Sequence, residues 1–193
     1  MRHTISTILM IFMLHISIST LQAADYDIDT EGMHAFIQFR IKHLGYSILI
    51  GHFRKFDGYF SYDDNNPVAS KIVITIDPSS IDSHLAERDK NLRGKNFLDV
   101  KKYPTAKFSS TSFIKQSNQT AILKGELTLR GITKPIVIDL EYIGEGPDPW
   151  GGYRRGFTGK TKFKLRDFNI NTDLGPESRE VELYLAIEGV RRK

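Results

Sequence analysis

The sequence predicts an all-β protein: an extended, closed, up-and-down antiparallel β-barrel of eight strands with one short helix. Three observations carry this expectation. Apolar and polar residues alternate with period two along most of the chain, as in strands with one face in a core and one in water. Most neighbouring strands are joined by short, turn-rich connections. Closing the sheet also removes the edges that long strands would otherwise expose. A two-sheet sandwich would satisfy the alternation equally well; the short connections favour the barrel.

The first strand is expected at 34–43, where Ala35, Ile37, Phe39 and Ile41 alternate with Phe36, Gln38, Arg40 and Lys42. The second, 47–62, is long, and its parity slips near Phe53–Phe56, where a bulge is expected. Ile72, Ile74 and Ile76 form one face of the third, 70–77. A helix follows at 83–92, started by Asp82 or Ser83, stopped by Gly94 and supported by an Asp89–Arg93 pair. The fourth strand, 106–114, leads to the fifth, 120–130, in which Leu123, Gly125, Leu127 and Leu129 oppose Lys124, Glu126, Thr128 and Arg130. After a turn at Gly131–Pro135, the sixth strand (134–143) carries Ile136, Ile138, Leu140 and Tyr142 on one face; 144–152 reads as a loop. In the seventh, 155–166, Phe157, Gly159, Thr161, Phe163 and Leu165 face inward. In the eighth, 179–190, Val181, Leu183, Leu185 and Ile187 do the same.

The N-terminus has a different character. Arg2-His3, an apolar run from Ile5 to Ile18 and then Ser19-Thr20-Leu21-Gln22-Ala23-Ala24 have the layout of a secretory signal. The run is shorter than the roughly 20 strongly apolar residues of a membrane helix. Cleavage is expected after Ala23, with Ala24 as the alternative, leaving one domain at 24–193. An exported protein of a Gram-negative bacterium would then reside in the periplasm, a compartment compatible with the absence of cysteine.

Composition narrows the function classes. Without cysteine there is no disulfide scaffold, thiolate zinc site or thiol nucleophile. A formal charge of +4 from 27 bases and 23 acids is weak support for nucleic-acid binding. The basic stripe Lys160, Lys162, Lys164 and Arg166 faces the acids Glu180, Glu182 and Glu188 of the next strand, so ion pairing explains it without a nucleic acid. GxSxG, HExxH, GxxxxGK[ST] and GxGxxG motifs are all missing. His34 and His43, nine residues apart on one strand, stand about 30 Å apart by the usual rise and cannot share a metal. A hairpin centred on Gly45–Tyr46 would set His52 opposite Phe39. Asp63-Asp64 reads as a turn, and Glu87 and Asp89 as acids on the exposed side of the helix with no apolar pocket to raise a pKa. Asn118-Gln119-Thr120, formally a glycosylation sequon, reads as a polar hairpin loop. The concentration of aromatics on the strands instead points to a filled core or to an apolar ligand tunnel.

Several stretches resemble the YceI-like family of periplasmic, lipocalin-like polyisoprenoid-binding proteins. They are His34-Ala35-Phe36-Ile37-Gln38-Phe39-Arg40-Ile41-Lys42-His43-Leu44-Gly45-Tyr46-Ser47, Gly51-His52-Phe53-Arg54-Lys55-Phe56-Asp57-Gly58 and Glu87-Arg88-Asp89-Lys90. Phe97-Leu98 with Tyr103-Pro104, Gly125 to Pro135, Asp148-Pro149-Trp150-Gly151-Gly152 and Asp167 to Pro176 continue the match in order. Asn91 and Gly94 depart from the family pattern, which often has histidine and serine there. The resemblance implies an extended barrel around a tunnel for an isoprenoid chain, such as a quinone tail or a polyprenyl lipid, with no catalytic residue and no cofactor.

The expected function is therefore that of a periplasmic carrier. Its tunnel wall is expected to include Phe39, Ile41, Phe53, Ile74, Leu127, Leu129, Phe163, Leu165 and Leu185. Trp150, the single tryptophan, lies in a loop at one barrel end and either plugs that end or caps the tunnel mouth. Two rivals remain: an enzyme acting on the headgroup with His34, His43 or His84 as base, and a ligand-free stress or assembly factor with a filled barrel. The expected partner is an isoprenoid lipid or quinone, with transient membrane contact and a homodimer as options; no nucleic acid and no metal are expected.

Overall fold

The computed structural model describes residues 23–172 and 174–193, so all of the expected leader except Ala23 lies outside the described residues. The strands are β1 (Ala24–Ile28), β2 (Phe36–His43), β3 (Ser47–Phe53), β4 (Phe56–Tyr62), β5 (Lys71–Ile76) and β6 (Ile81–Asp82). They are followed by β7 (Ala106–Lys115), β8 (Thr120–Leu129), β9 (Ile132–Pro147), β10 (Tyr153–Lys164) and β11 (Glu180–Arg191), with helix α1 (Ala86–Leu92) between β6 and β7.

All pairings are antiparallel, and the sheet closes on itself. From β1 the hydrogen-bonded order runs through β4, β5, β7, β8, β9, β10 and β11, and β11 returns to β1 with Ile28 opposite Gly189. The other half of β11 pairs with β2, with Val181 opposite Ile41 and Ala186 opposite Phe36. β1 and β2 are thus two halves of one barrel position, split by the excursion at 29–35, and β3 and β4 are likewise halves of a second. Counted this way the barrel has eight positions, as the alternation predicted.

The differences from the sequence reading lie at strand ends and junctions. β1 was not expected, because Ala24-Asp25-Tyr26-Asp27-Ile28 offers only two apolar anchors on its buried face. The expected bulge in 47–62 is a full division at Arg54–Lys55: β3 turns onto β2 and β6, and β4 onto β1 and β5. Gly144 to Pro147 extend β9 rather than forming a loop, because Gly144, Glu145, Gly146 and Pro147 all find partners on β10. β10 ends at Lys164, and Leu165–Phe168 forms a 3₁₀ turn closed by left-handed Asn169. His52 pairs with Gln38, not Phe39, because the hairpin is centred on Gly45 itself rather than between Gly45 and Tyr46, with Leu44 and Gly45 in the left-handed region.

The helix is shorter than expected and begins differently. Its N-cap is Leu85, whose side chain supplies no cap bond. Asp82 instead accepts the His84 amide and the Arg54 guanidinium. Asp89 is not an exposed acid but a buried one, accepting the Ser83 amide at 2.9 Å and the Ser83 hydroxyl at 2.5 Å. The expected Asp89–Arg93 pair is replaced: Arg93 donates to the carbonyls of Ser79 and Ile81, tying the helix end to the chain entering β6.

Inside, the two halves of the barrel differ. Towards the end carrying the β7–β8 and β9–β10 turns the core is packed around Phe60, with a recess of about 230 Å³ at the mouth bordered by Tyr62, Phe113 and Arg155. Tyr26 stacks on Phe60 at 4.8 Å, Phe157 meets Phe60 edge-on at 5.8 Å, and Ile74, Leu140 and Leu185 fill in around them. Gly189 is required there, since a Cβ would lie 2.4 Å from the Phe60 ring. Burying a ring such as Phe60 contributes roughly 2–3 kcal/mol. The opposite end, carrying the 44–46 turn and the β10–β11 connection, is not filled.

Candidate functional site: an apolar cavity at the open end

The empty half follows from the strand division. Beyond the pairings of Ile76 with Phe56 and Ala106, β5 stops, while β3 has moved away to pair with β2 and the short β6. The segment 77–105, with α1, covers the resulting gap, and a cavity of about 630 Å³ remains beneath it. Phe39, Ile81, Leu98, Ile170 and Val181 form a second buried cluster around this space.

Seven of the nine residues expected in the wall line the cavity: Phe39, Ile41, Phe53, Leu127, Leu129, Phe163 and Leu165. Ile74 and Leu185 do not; they point inward as expected but belong to the solid half. Period-two alternation separates inside from outside and carries no information on depth along the barrel. Leu49, Val181 and Leu183 also line the cavity and share the inward parity of their strands. Arg88, Asn91 and Leu92 reach it from α1, and their i, i+3, i+4 spacing is the signal that could have marked them as one helix face. Leu174, Ile170 and Phe97 come from loops, where no periodicity points to them.

Trp150 does not border this cavity. It is 75% exposed at the other end of the barrel, where its ring stacks on the Arg154 guanidinium at 5.3 Å. The turn that holds it is organised by Asp148, which accepts the Trp150 and Gly152 amides.

The same closed end carries two charged clusters. Arg155 points inward, is 2% exposed, and donates to Glu145 at 2.6 Å and to both Asp64 oxygens at 2.9 Å. The Tyr62 ring lies 4.0 Å from its guanidinium carbon. Burial works against the Arg155 charge, but its hydrogen bonds to Asp64 and Glu145 outweigh this and raise the pKa. Burial in turn raises the Tyr62 and Tyr142 phenols. Arg154 faces outward and binds Asp29, Glu188 and Asp148 at 2.5, 2.5 and 2.8 Å. Burial raises the Asp29 carboxyl, yet hydrogen bonds from Arg154, His34 and the Gly32 amide prevail and hold it at about 2.

Asp29, His34 and Glu188 are the metal-like grouping among the described residues. Arg154 already bridges the two carboxylates, so the group is a charge-compensated clamp between β10, β11 and the loop after β1. The histidines otherwise stay apart from any catalytic arrangement. His34 is bonded to Asp29 at 2.9 Å, and His84, in the left-handed region, lies 5.8 Å from His52. Only His43 of the proposed bases borders the cavity, and its ring makes no hydrogen bond among the described residues.

A wider groove outside the barrel, about 950 Å³, runs under the β10–β11 connection. It is crossed by the pairs Lys42–Glu177 at 2.8 Å, Lys162–Glu180 at 2.8 Å and Arg40–Glu182 at 3.8 Å. Of the basic stripe only Lys162 is ion-paired among the described residues, because Glu182 is taken by Arg40 and Glu188 by Arg154; the groove's lining is more charged than that of the inner cavity.

The family model described as a YceI-like domain matches residues 26–189. The chain belongs to the YceI-like family. A UPF0312 protein of Pseudomonas aeruginosa is 56% identical over 170 residues, covering 88% of each chain. The crystal structure of a Campylobacter jejuni YceI protein superposes with a TM-score of 0.71 at 29% identity, covering 79% of this chain and 91% of that one. A polyisoprenoid binding domain from Saccharophagus degradans shares the fold with a TM-score of 0.63 at 13% identity, covering 86% of this chain and 98% of its own. The YceI-like barrel expected from the sequence is therefore the fold observed.

Proposed function

We propose that the protein is a periplasmic binding protein that shields or carries a long isoprenoid lipid, a quinone tail or polyprenyl chain, with that chain in the cavity at the open end. The observation that carries this reading is the cavity itself: about 630 Å³ lined mainly by leucine, isoleucine, valine and phenylalanine side chains. An apolar chain is the occupant such a lining favours, because each buried methylene contributes about 0.8 kcal/mol while a polar solute would lose its hydration. The structural likeness to a domain described as polyisoprenoid binding agrees with this choice. The exposed Leu44 and Tyr46 at the tip of the β2–β3 hairpin, next to the cavity, suit transient contact with a membrane from which a lipid is collected.

Binding rather than turnover is the activity proposed, since among the described residues the His43 ring has no hydrogen-bond partner to orient it and no nucleophile–base pair faces the cavity. Native mass spectrometry of protein purified from its own periplasm tests the reading. A co-purified lipid, or uptake of a polyprenol by delipidated protein, is expected. Consistent absence of both would replace the carrier with a ligand-free factor. N-terminal sequencing of the same material is expected to begin at Ala24 or Asp25.

A further inference from the structure

The outer groove under the β10–β11 connection carries more positive charge than its acids neutralise. Arg40, Lys42, Lys162, Lys164, Arg166 and Arg179 line it against Glu177, Glu180 and Glu182. Each acid is already taken, by Lys42, Lys162 and Arg40 in turn. Lys164, Arg166 and Arg179 are exposed, and their side chains form no hydrogen bond or ion pair among the described residues. Glu180 is held chiefly by its bond to Lys162, and Lys164 acts on it only through space and more weakly. Asp167, beside Arg166 in the chain, does not line the groove.

The opposite wall is apolar. Ile48 and Ile50, alternate residues of β3, line the groove, and Tyr46 and Leu44 at the hairpin turn continue the exposed apolar surface to Leu44 at the inner cavity. Four large apolar side chains thus stand exposed between positions 44 and 50, with Tyr46 at 86%. That is a patch, not the scattered single residues of an ordinary surface. Leu44 lies at φ 52°, a conformation that glycine or asparagine adopts at less cost, so the turn itself does not account for a leucine. Along the same stretch Ser47 to Gly51 pair with β2 on one side only, since β6 reaches no further than His52 and Phe53.

We propose that this face docks the protein on an anionic phospholipid surface. Tyr46, Ile48 and Ile50 sit at the boundary of headgroups and acyl chains, and Lys164, Arg166 and Arg179 receive lipid phosphates. The proposal rests on the lipid-binding reading above and names the surface from which the cavity is loaded. Charge decides the occupant. A second copy paired along the free edge of β3 would cover the apolar side chains, but it would bring two sets of three uncompensated cations together. An acidic protein would answer the cations without explaining why the apolar wall leads to the cavity. An anionic bilayer answers both.

The test is flotation of delipidated protein with vesicles of phosphatidylcholine alone and with vesicles in which about a third of the lipid is phosphatidylglycerol. Each basic side chain near such a surface is worth about fivefold in partition at low salt. The three together are expected to give roughly a hundredfold preference for the anionic vesicles, falling steeply towards about 1 M salt. The triple variant Lys164→Gln, Arg166→Gln, Arg179→Gln is expected to lose most of that preference. Its Kd for a polyprenol is expected to stay within about twofold, because none of the three borders the cavity. Tyr46→Ser with Ile48→Ser is expected to weaken binding to both kinds of vesicle by about tenfold. Equal partition of the unmodified protein onto both vesicles overturns the proposal, as does a triple variant that keeps the full preference. A dimer in sedimentation that Ile48→Ser dissolves, from protein that floats with neither vesicle, overturns it in favour of a second copy. The two readings fail separately. Vesicle preference without polyprenol uptake refutes the carrier and leaves the docking face standing, whereas uptake without vesicle preference refutes the docking face alone.

Discussion

The length of the bound chain is set by where the barrel stops being empty. A methylene occupies about as much space as a water in the liquid, ~30 Å³, so a cavity of about 630 Å³ holds a chain of about 20 carbons. At about −0.3 kcal/mol per heavy atom, such a chain gives roughly −6 kcal/mol, a Kd in the tens of micromolar. Each five-carbon unit adds about 1.5 kcal/mol, close to tenfold. A series of non-absorbing polyprenols from 10 to about 40 carbons, titrated by native mass spectrometry or competition, is therefore expected to gain about tenfold per unit and then level off near 20 carbons. Leu127 borders the cavity and belongs to the solid core, so Leu127→Trp should make the plateau appear at a shorter chain. An affinity that kept rising tenfold per unit to 40 carbons would refute the reasoning, because the chain would then run through the space assigned to Phe60, Tyr26 and Phe157.

Three further outcomes follow from the same geometry. Phe163→Asp puts an unpaired carboxylate into the cavity wall and should abolish polyprenol binding, whereas Lys162→Asp on the outer face removes only the exposed pair with Glu180 and should leave binding intact; a titration of both variants decides. Because the folded Asp29 pKa is depressed from 3.8 to about 2, its contribution is present above pH ~4 and is lost as pH falls towards 2; urea unfolding should show the wild type losing about 1–2 kcal/mol more than Asp29→Asn between pH 5 and 2. Filling the cavity with a polyprenol should leave Trp150 emission unchanged, since the indole is exposed at the other end, while a tryptophan introduced as Phe97→Trp should report it; a saturable shift of Trp150 alone would place the ligand at the closed end.

The barrel was legible because closure demands little beyond alternation: Ile37, Phe39, Leu123, Leu127, Ile136 and Ile138 face inward because their strands have one wet side. What period two cannot express is the point at which one strand changes partners. The parity slip at Phe53–Phe56 marked the place, but a bulge and a complete division leave the same trace in the sequence, and only the pairing of His52 with Asp82 and of Phe56 with Ile76 tells them apart. That division decides which inward residues meet a ligand-sized space. Phe53 and Leu129 lie below it and border the cavity; Ile74 and Leu185 lie above it and pack against aromatics.

The charged residues were harder to read, since their roles depend on a third group. Asp89 reads as a surface acid on a short helix until Ser83 is folded back over it, and Arg88 reads as its neighbour in a charged run. Arg155 has inward parity, which by pattern alone would be an error in a core strand. It is tolerated because Glu145, on the extension of β9 that glycines disguised as a loop, and Asp64, in a turn, converge on it. The two inward-facing arginines thus divide the molecule's ends by chemistry. Arg155 has two carboxylates and a tyrosine face at the closed end; Arg88, bordering the cavity at the other end, is held among the described residues by Ser83 alone.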